Sequence, residues 1–250
     1  MSNSTLAGRR YSLGLGLFTE SVKFFAGWIL AAIVLAVVVP FIVSQWNSIE
    51  ISAWAVAANV GKYLVAIIAG GYIYTLLPIT VAQGMTRREY ATSMGVFGLL
   101  WSLMIGALAV AGFLGERALY GALDWTQAIQ QGDDVQLAIG SFGDALEFAA
   151  VYPLAYLLYF TAGAVIGAAI YRSDGGWLVL VPVIPVTLLA DDAMTAGGPW
   201  GPGWLVRFVS GATDTWSVWV GVAVTLVVIV TGALIARRII IDSPIRPKQA

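Results

Sequence analysis

Six stretches of the chain are almost entirely apolar, and the polar residues are concentrated in the segments between them. A bilayer core of about 30 Å requires about 20 apolar residues in a helix. The pattern therefore predicts an all-α polytopic membrane protein whose six transmembrane helices lie in Phe24–Ser44, Gly61–Ala82, Ser93–Leu114, Ala149–Tyr171, Trp177–Leu189 and Trp216–Ile235. The fifth run is the shortest and contains Pro182 and Pro185, which membrane helices tolerate where neighbours satisfy the freed carbonyl groups.

These runs leave no room for a soluble domain, so we predict one transmembrane domain over residues 1–250. It divides into a cytoplasmic lead-in (1–23), a six-span bundle (24–240) and a cytoplasmic tail (241–250). Within the lead-in, Ser12–Phe24 is mildly amphipathic and follows two arginines. This pattern predicts a short helix on the inner membrane surface, and the alternative is a frayed tail.

Basic residues are distributed unequally between the two sets of polar segments, and this inequality predicts the orientation. If both termini are cytoplasmic, the inner segments hold ten of the 13 basic residues. The outer segments then keep only Lys62, Arg117 and Arg207. We therefore expect the N-terminus, the C-terminus and the segment between the second and third spans to lie in the cytoplasm.

Composition supports a membrane protein and removes most enzyme chemistry. The chain is 59% hydrophobic and 11% charged, whereas soluble domains carry about 25% charged residues. It has no cysteine and no histidine, which excludes disulfides, Cys/His metal sites and Ser/His/Asp triads. The sequence "VGKY" at Val60–Tyr63 lacks the leading glycine and the following hydroxyl of a phosphate-binding loop. We expect no catalytic residue, metal or cofactor on this chain, which is therefore not an enzyme by itself.

Three charged residues lie near the predicted ends of spans. Lys62 would lie inside the membrane if the second span began at Ala53, but a start at Gly61 still leaves 22 residues. We therefore expect Lys62 at the outer interface, with its stem along the helix. Asp191 and Asp192 are expected to close the fifth span at the outer surface. Adjacent residues of a helix point about 100° apart, so these two would not share one metal.

Two further segments have a predicted packing role. The segment Asp191–Thr215 has an apolar centre that is too short to cross a bilayer. It is expected to dip into the outer leaflet and return where protein covers its backbone, or else to rest on the surface. In the fourth span, Gly163 and Gly167 form a Gly-x-x-x-Gly pattern that permits close approach of another helix.

The segment Gln83–Ser93, "QGMTRREYATS", concentrates charge between two apolar runs. Gly84 permits a tight turn after the second span. Thr86 and Glu89 have the spacing of a capping box, in which each side chain accepts from the other residue's backbone N–H. A helix should therefore begin at Arg87, before the third span reaches the membrane. It would exceed the bilayer core by roughly two turns.

The two adjacent arginines, Arg87 and Arg88, stand where helix electrostatics disfavour them, because the N-terminus of a helix is the positive end of its dipole. One explanation is topogenic: the arginines hold the segment inside and contact lipid phosphate. The other is that they face acidic or carbonyl groups of a partner protein. The residues alone do not choose between these explanations.

The stretch "LPITVAQGMTRREYATSMGVFG" resembles the inner loop of bacterial type-2 ATP-binding-cassette (ABC) transporter permeases. In that family a proline-containing second span ends in a Gly-x-[Ser/Thr]-Arg turn. The matching residues are Pro78, Gly84, Thr86 and Arg87, with Arg88 following. The resemblance extends more loosely to an N-terminal surface helix, six spans, an elongated loop after the fifth and a basic tail. The short fifth span departs from the family pattern.

The resemblance implies that the helix after this turn is a coupling helix that docks into an ATPase subunit. The coupling residues would be Gly84, Met85, Thr86, Arg87, Arg88, Glu89 and Tyr90. The chain would be the permease of an exporter in the bacterial inner membrane, paired with a second copy or a related permease. Two ATPase subunits would bind ATP and Mg²⁺, and no nucleic-acid partner is expected. Substrate contacts are expected on the second and fifth spans, without assigned residues.

Two other functions remain open at this point. An ion-coupled carrier or channel would need a buried acid, histidine or lysine in a span, and the expected interfacial place of Lys62 removes the only such residue. A membrane scaffold without transport function would need none of these features. Of the alternatives, the ABC permease is the interpretation we carry forward.

Overall fold

A computed structural model of the chain describes residues 6–46, 48–49, 51–131, 135–195 and 218–244. Within this part of the chain, six helical segments are long and apolar enough to cross a membrane, in agreement with the six apolar runs. The elements are α1 (Leu6–Val43), α2 (Ala53–Ala82), α3 (Arg87–Ala122), β1 (Ala128–Gln131), β2 (Val135–Ala138), α4 (Phe142–Ala149), α5 (Tyr152–Arg172), α6 (Leu180–Thr195) and α7 (Val218–Asp242).

One end of the bundle is covered by a small β-hairpin. Strands β1 and β2 pair antiparallel, with Ala128 opposite Ala138. The Ser52 N–H donates to the Ala128 carbonyl over 2.8 Å, which joins the hairpin to the start of α2. We call this the hairpin end, and we call the opposite end, where α2 turns into α3 at Gly84, the turn end. The segment between the third and fourth apolar runs therefore contains the last turns of α3 as well as a hairpin.

The first helix is continuous from Leu6 to Val43. Its 38 residues correspond to about 57 Å at 1.5 Å per residue. The lead-in Ser12–Phe24 is therefore helical, as predicted, and not a frayed tail, but it continues directly into the first span instead of forming a short helix of its own. Close packing holds this part of α1 against α3, since a Cβ on Gly14 would clash with the Ser93 carbonyl oxygen.

The centre of the bundle is the contact between α2 and α5, which pack along most of their length. A Cβ on Gly163 would clash with the backbone of Ala66, and one on Gly167 would clash with the backbone of Gly70. The Gly163-x-x-x-Gly167 pattern thus brings the two backbones together, as predicted. Because the absence of side chains makes this contact possible, α5 becomes the most buried of the six spans.

The fifth span is longer than the sequence pattern indicates. A 3-10 turn over Gly176–Val179 leads into α6, which continues to Thr195 with Pro185 inside it. The expected end at Leu189 is therefore wrong, and Asp191 and Asp192 lie within the helix instead of closing it. Apart from residues 191–195, which are helical, the proposed re-entrant segment falls on residues 196–215, outside the described residues.

Candidate functional site

The turn between α2 and α3 has the backbone geometry that its glycine predicts. Gly84 adopts φ of +85°, a left-handed conformation that other residues adopt only with strain. Its N–H donates to the Val81 carbonyl over 3.0 Å, and the Met85 N–H donates to the Thr80 carbonyl over 3.1 Å. These bonds satisfy carbonyl groups at the end of α2 and fix the direction in which the chain leaves the helix.

The capping box at the start of α3 is present and complete. The Thr86 hydroxyl accepts from the Glu89 N–H over 3.2 Å, and the Glu89 carboxylate accepts from the Thr86 N–H over 2.8 Å. Helix α3 begins at Arg87, as predicted. The Glu89 carboxylate also lies in the first turn of α3, where the helix dipole favours an anion. Its negative charge offsets the positive charges of the two arginines beside it.

The two arginines of the turn have different environments. The Arg87 guanidinium is half-buried and donates to the backbone carbonyl of Ile241, near the end of α7, over 3.2 Å. Arg88 is exposed at the surface of the turn end. A cation at the C-terminus of a helix is favourable because the last carbonyl groups carry negative partial charge. Arg87 therefore serves α7 within the chain, and Arg88 is the arginine that a partner can reach.

The remaining predicted coupling residues are divided between surface and core. Gly84 and Thr86 are exposed, whereas Met85 and Glu89 are half-buried. Tyr90 is fully buried, and its hydroxyl donates to the Tyr72 carbonyl of α2 over 2.9 Å. The aromatic ring of Tyr90 therefore anchors the first turn of α3 to α2 and does not form part of the accessible surface.

Lys62 does not lie at the outer interface, and that expectation is wrong. Helix α2 begins at Ala53, so Lys62 lies nine residues into the helix, about 13.5 Å from its start at 1.5 Å per residue. Its exposed fraction is 3%. The reason is the N-terminal cap of α2, in which the Ser52 hydroxyl accepts from the Ala55 N–H over 3.0 Å. Serine before an apolar run is a typical cap, so the sequence contained the signal.

The Lys62 ammonium forms an ion pair with Asp191 inside the bundle. Its Nζ donates to Oδ2 over 2.8 Å and to Oδ1 over 3.0 Å. The side chains of Lys62 and Asp191 retain 4% and 14% of their exposure. The pair joins α2 to α6, and it forms only because α6 extends beyond the expected end of the fifth span.

Tyrosines of α5 surround this ion pair. The Tyr159 hydroxyl donates to the Asp191 Oδ2 over 3.2 Å. The Lys62 Nζ lies 5.2 Å from the ring centroid of Tyr152 and 6.0 Å from that of Tyr159. Cations within about 6 Å of an aromatic centroid are attracted by the ring quadrupole. The ammonium is thus held by one carboxylate and two aromatic rings, a set that we call the Lys62 cluster.

The Lys62–Asp191 pair is largely shielded from water, and such a pair is costly to form. Removing two charges from water costs several kcal/mol per ion, and their attraction often does no more than offset this cost. Well-packed apolar residues would stabilise the bundle as well or better. Charged residues inside membrane spans are therefore interpreted by default as part of a functional site.

A buried carboxylate, Glu116 of α3, organises the hairpin end. It accepts from the Ser52 hydroxyl, from the Trp54 N–H over 2.9 Å and from the Gln127 side-chain amide over 2.8 Å. It also lies at the N-terminus of α2, where the helix dipole favours an anion. These contacts give Glu116 a structural role, which sequence reasoning missed because its partners lie 11 to 64 residues away.

Comparison of the chain with protein-family models, with curated proteins and with solved structures finds no match. The described residues contain six helical segments that are long and apolar enough to cross a membrane, which is the architecture of a multi-pass membrane protein. The turn at Gly84 and the Lys62 cluster are the candidate functional sites of the chain.

Proposed function

We propose that this chain is the membrane-spanning permease subunit of an ATP-driven ABC exporter. The observation that carries the proposal is the hydrogen-bonded turn between α2 and α3, with the exposed Arg88 inside its capping box, between Thr86 and Glu89. A docking element must be stiff to transmit a displacement, and the turn is fixed by backbone hydrogen bonds, by the cap and by the buried Tyr90. The similarity of this turn to that of type-2 permeases supports the same function.

The geometry of α3 supports a coupling role for its first turns. The helix has 36 residues, about 54 Å at 1.5 Å per residue, whereas a bilayer core is about 30 Å thick. Displacement of the turn end would therefore be carried by one continuous helix through the full thickness of the membrane. Arg87 joins the same turn to α7, so two spans would move together when a partner pushes on the turn.

In the proposed assembly the turn end faces the cytoplasm, as the distribution of basic residues predicts. Two ATPase subunits bind there, hold ATP and Mg²⁺, and drive alternating access between two permease chains. The second permease is another copy or a related chain. The location is the bacterial inner membrane. This chain performs no chemistry of its own and provides the path of the substrate.

The Lys62 cluster favours a second candidate function, that of an ion-coupled carrier. Such a carrier needs ionisable groups within its spans, and the buried pair of Lys62 and Asp191 satisfies this requirement. The cluster lies in the hairpin-side half of the bundle, far from the turn. Ion coupling at this site would not depend on an ATPase bound at the turn. The two candidates differ in their energy source, which can be measured directly.

The experiment that tests the proposal is purification of the tagged chain from its native membrane in mild detergent, followed by an assay of ATP hydrolysis. The permease function predicts ATPase activity that co-purifies in fixed stoichiometry with the chain. Reconstituted vesicles should then generate transport with ATP but not with a proton gradient alone. Transport driven by a proton gradient in vesicles that contain only this chain would instead establish the carrier.

A further inference from the structure

The Lys62 cluster has the chemistry of an ammonium-binding site whose occupant belongs to the chain itself. The two carboxylate oxygens of Asp191 accept from the Lys62 ammonium, and the rings of Tyr152 and Tyr159 lie beside it. A carboxylate combined with aromatic faces is the arrangement by which proteins recognise organic cations. Nothing in this arrangement is specific to an ammonium that is attached to α2.

The walls of the site are held by contacts that do not involve Lys62. The Tyr159 hydroxyl donates to Asp191, and the Tyr159 ring packs edge-on against Tyr63 with 5.4 Å between centroids. Tyr152 packs against Phe113, with 5.2 Å between centroids. These contacts would keep both rings in place if the ammonium left. The site is therefore organised in advance for a cation.

For Lys62 to leave the site, its side chain must extend toward the hairpin end. In a helix the Cα–Cβ bond tilts toward the N-terminus, which for α2 is the hairpin end. Long lysine side chains can extend along a helix until the ammonium reaches water. The Asp191 side chain is more exposed than that of Lys62, at 14% against 4%, so the carboxylate is the more accessible partner. Exchange of one cation for another also leaves the charge of Asp191 balanced.

We propose that Asp191, Tyr152 and Tyr159 form a binding site for the alkyl ammonium group of an amine ligand. Lys62 occupies this site in the absence of ligand and acts as an intramolecular competitor. The rings of Tyr152 and Tyr159 lie beside the ammonium, so the matching ligand carries an apolar body attached to its ammonium group. The assignment of this ligand as the exported cargo rests on the proposed function, whereas the binding site itself requires this chain alone.

The probe for this site is n-butylammonium, which reproduces the four carbons and the ammonium of a lysine side chain. The measured quantity is the thermal unfolding midpoint of the purified chain as the probe concentration rises, with n-butanol as the neutral control. In the wild-type chain the midpoint should rise and saturate with butylammonium but not with n-butanol. The Lys62→Ala variant should bind more tightly, because its site is no longer occupied by a competitor.

The gain in affinity has an expected size. If Lys62 fills the site in nine of ten molecules or more, its removal should tighten the apparent dissociation constant by about tenfold or more. The Lys62→Ala/Asp191→Asn double variant lacks the carboxylate charge without leaving a lone lysine, and it should show no saturable shift. As a matched control on an exposed ion pair, Lys23→Ala removes the partner of Glu20 and should respond like the wild type.

Three results would overturn the proposal. These are no saturable shift in the wild type, an equal shift with n-butanol, and a shift that persists in the double variant. If Lys62→Ala does not fold, the wild-type titration against n-butanol still decides. A pair that only locks α2 to α6 predicts destabilisation of Lys62→Ala with no response to the probe. None of these titrations involves an ATPase, so their failure is distinguishable from failure of the proposed permease function.

Discussion

The Arg87 guanidinium donates to the backbone carbonyl of Ile241 over 3.2 Å, which connects the start of α3 to the end of α7. The two residues are 154 positions apart in the chain. This contact explains why a cation is tolerated at the first position of α3, where the helix dipole is unfavourable. The unfavourable interaction of Arg87 with the dipole of α3 is offset by its hydrogen bond to the C-terminal end of α7.

We predict that Arg87→Ala destabilises the turn end by about 1 kcal/mol, the size typical of a single hydrogen bond or helix-end charge. Arg87→Lys should recover part of this loss, because a lysine can still approach the carbonyl groups at the end of α7. The measurement is the denaturant dependence of unfolding in detergent. Equal stabilities of the wild type and Arg87→Ala would show that the contact with Ile241 contributes nothing.

We predict that Lys62→Met lowers the free energy of unfolding by about 3–5 kcal/mol, because it removes the cation that faces the mostly buried carboxylate of Asp191. The Lys62→Met/Asp191→Leu double variant should recover most of this loss, since it removes both charges and preserves apolar packing. Thermal unfolding of the three proteins measures the difference. An additive loss in the double variant would contradict the ion pair, because independent sites add whereas paired ones do not.

We predict that Gly163→Ala separates α2 from α5 and costs about 1–3 kcal/mol, the usual penalty for overpacking. The matched control is Gly71→Ala, since a Cβ at Gly71 meets no atom within 4 Å. That change should be neutral or slightly stabilising, because alanine is the better helix former by about 1 kcal/mol. If both variants unfold alike, the close contact at Ala66 is not important for stability.

Local features of the fold were predictable, and long-range ones were not. The capping box of Thr86 and Glu89 depends on residues three positions apart, so the local sequence pattern predicts it directly. The burial of Lys62 depends on where α2 begins and how far α6 extends. The start of α2 is decided by Ser52 together with Glu116, which lies 64 residues away in the chain. Hydrophobicity alone placed Lys62 at the membrane interface, because a second span that begins at Gly61 is already long enough to cross the bilayer.

The same distinction applies to the turn. The sequence predicted Gly84, the cap and the start of α3, but it treated Arg87 and Arg88 as equivalent. Only packing against α7 separates them, since it turns one guanidinium inward and leaves the other exposed. Tyr90 was grouped with the coupling surface, although its ring lies in the core. A side chain's partner on a distant helix cannot be read from its neighbours in sequence.

The most direct test of the docking role of the turn is charge reversal at Arg88, with co-purifying ATPase activity as the readout. The control is Arg238→Glu, which reverses another exposed arginine of the same bundle end and removes the same topogenic charge. The account predicts that Arg88→Glu inserts normally and loses the ATPase, whereas Arg238→Glu retains it. Loss of about 2–5 kcal/mol of docking energy is expected when a desolvated charge contact is broken. Normal insertion of Arg88→Glu with undiminished ATPase activity would contradict the account.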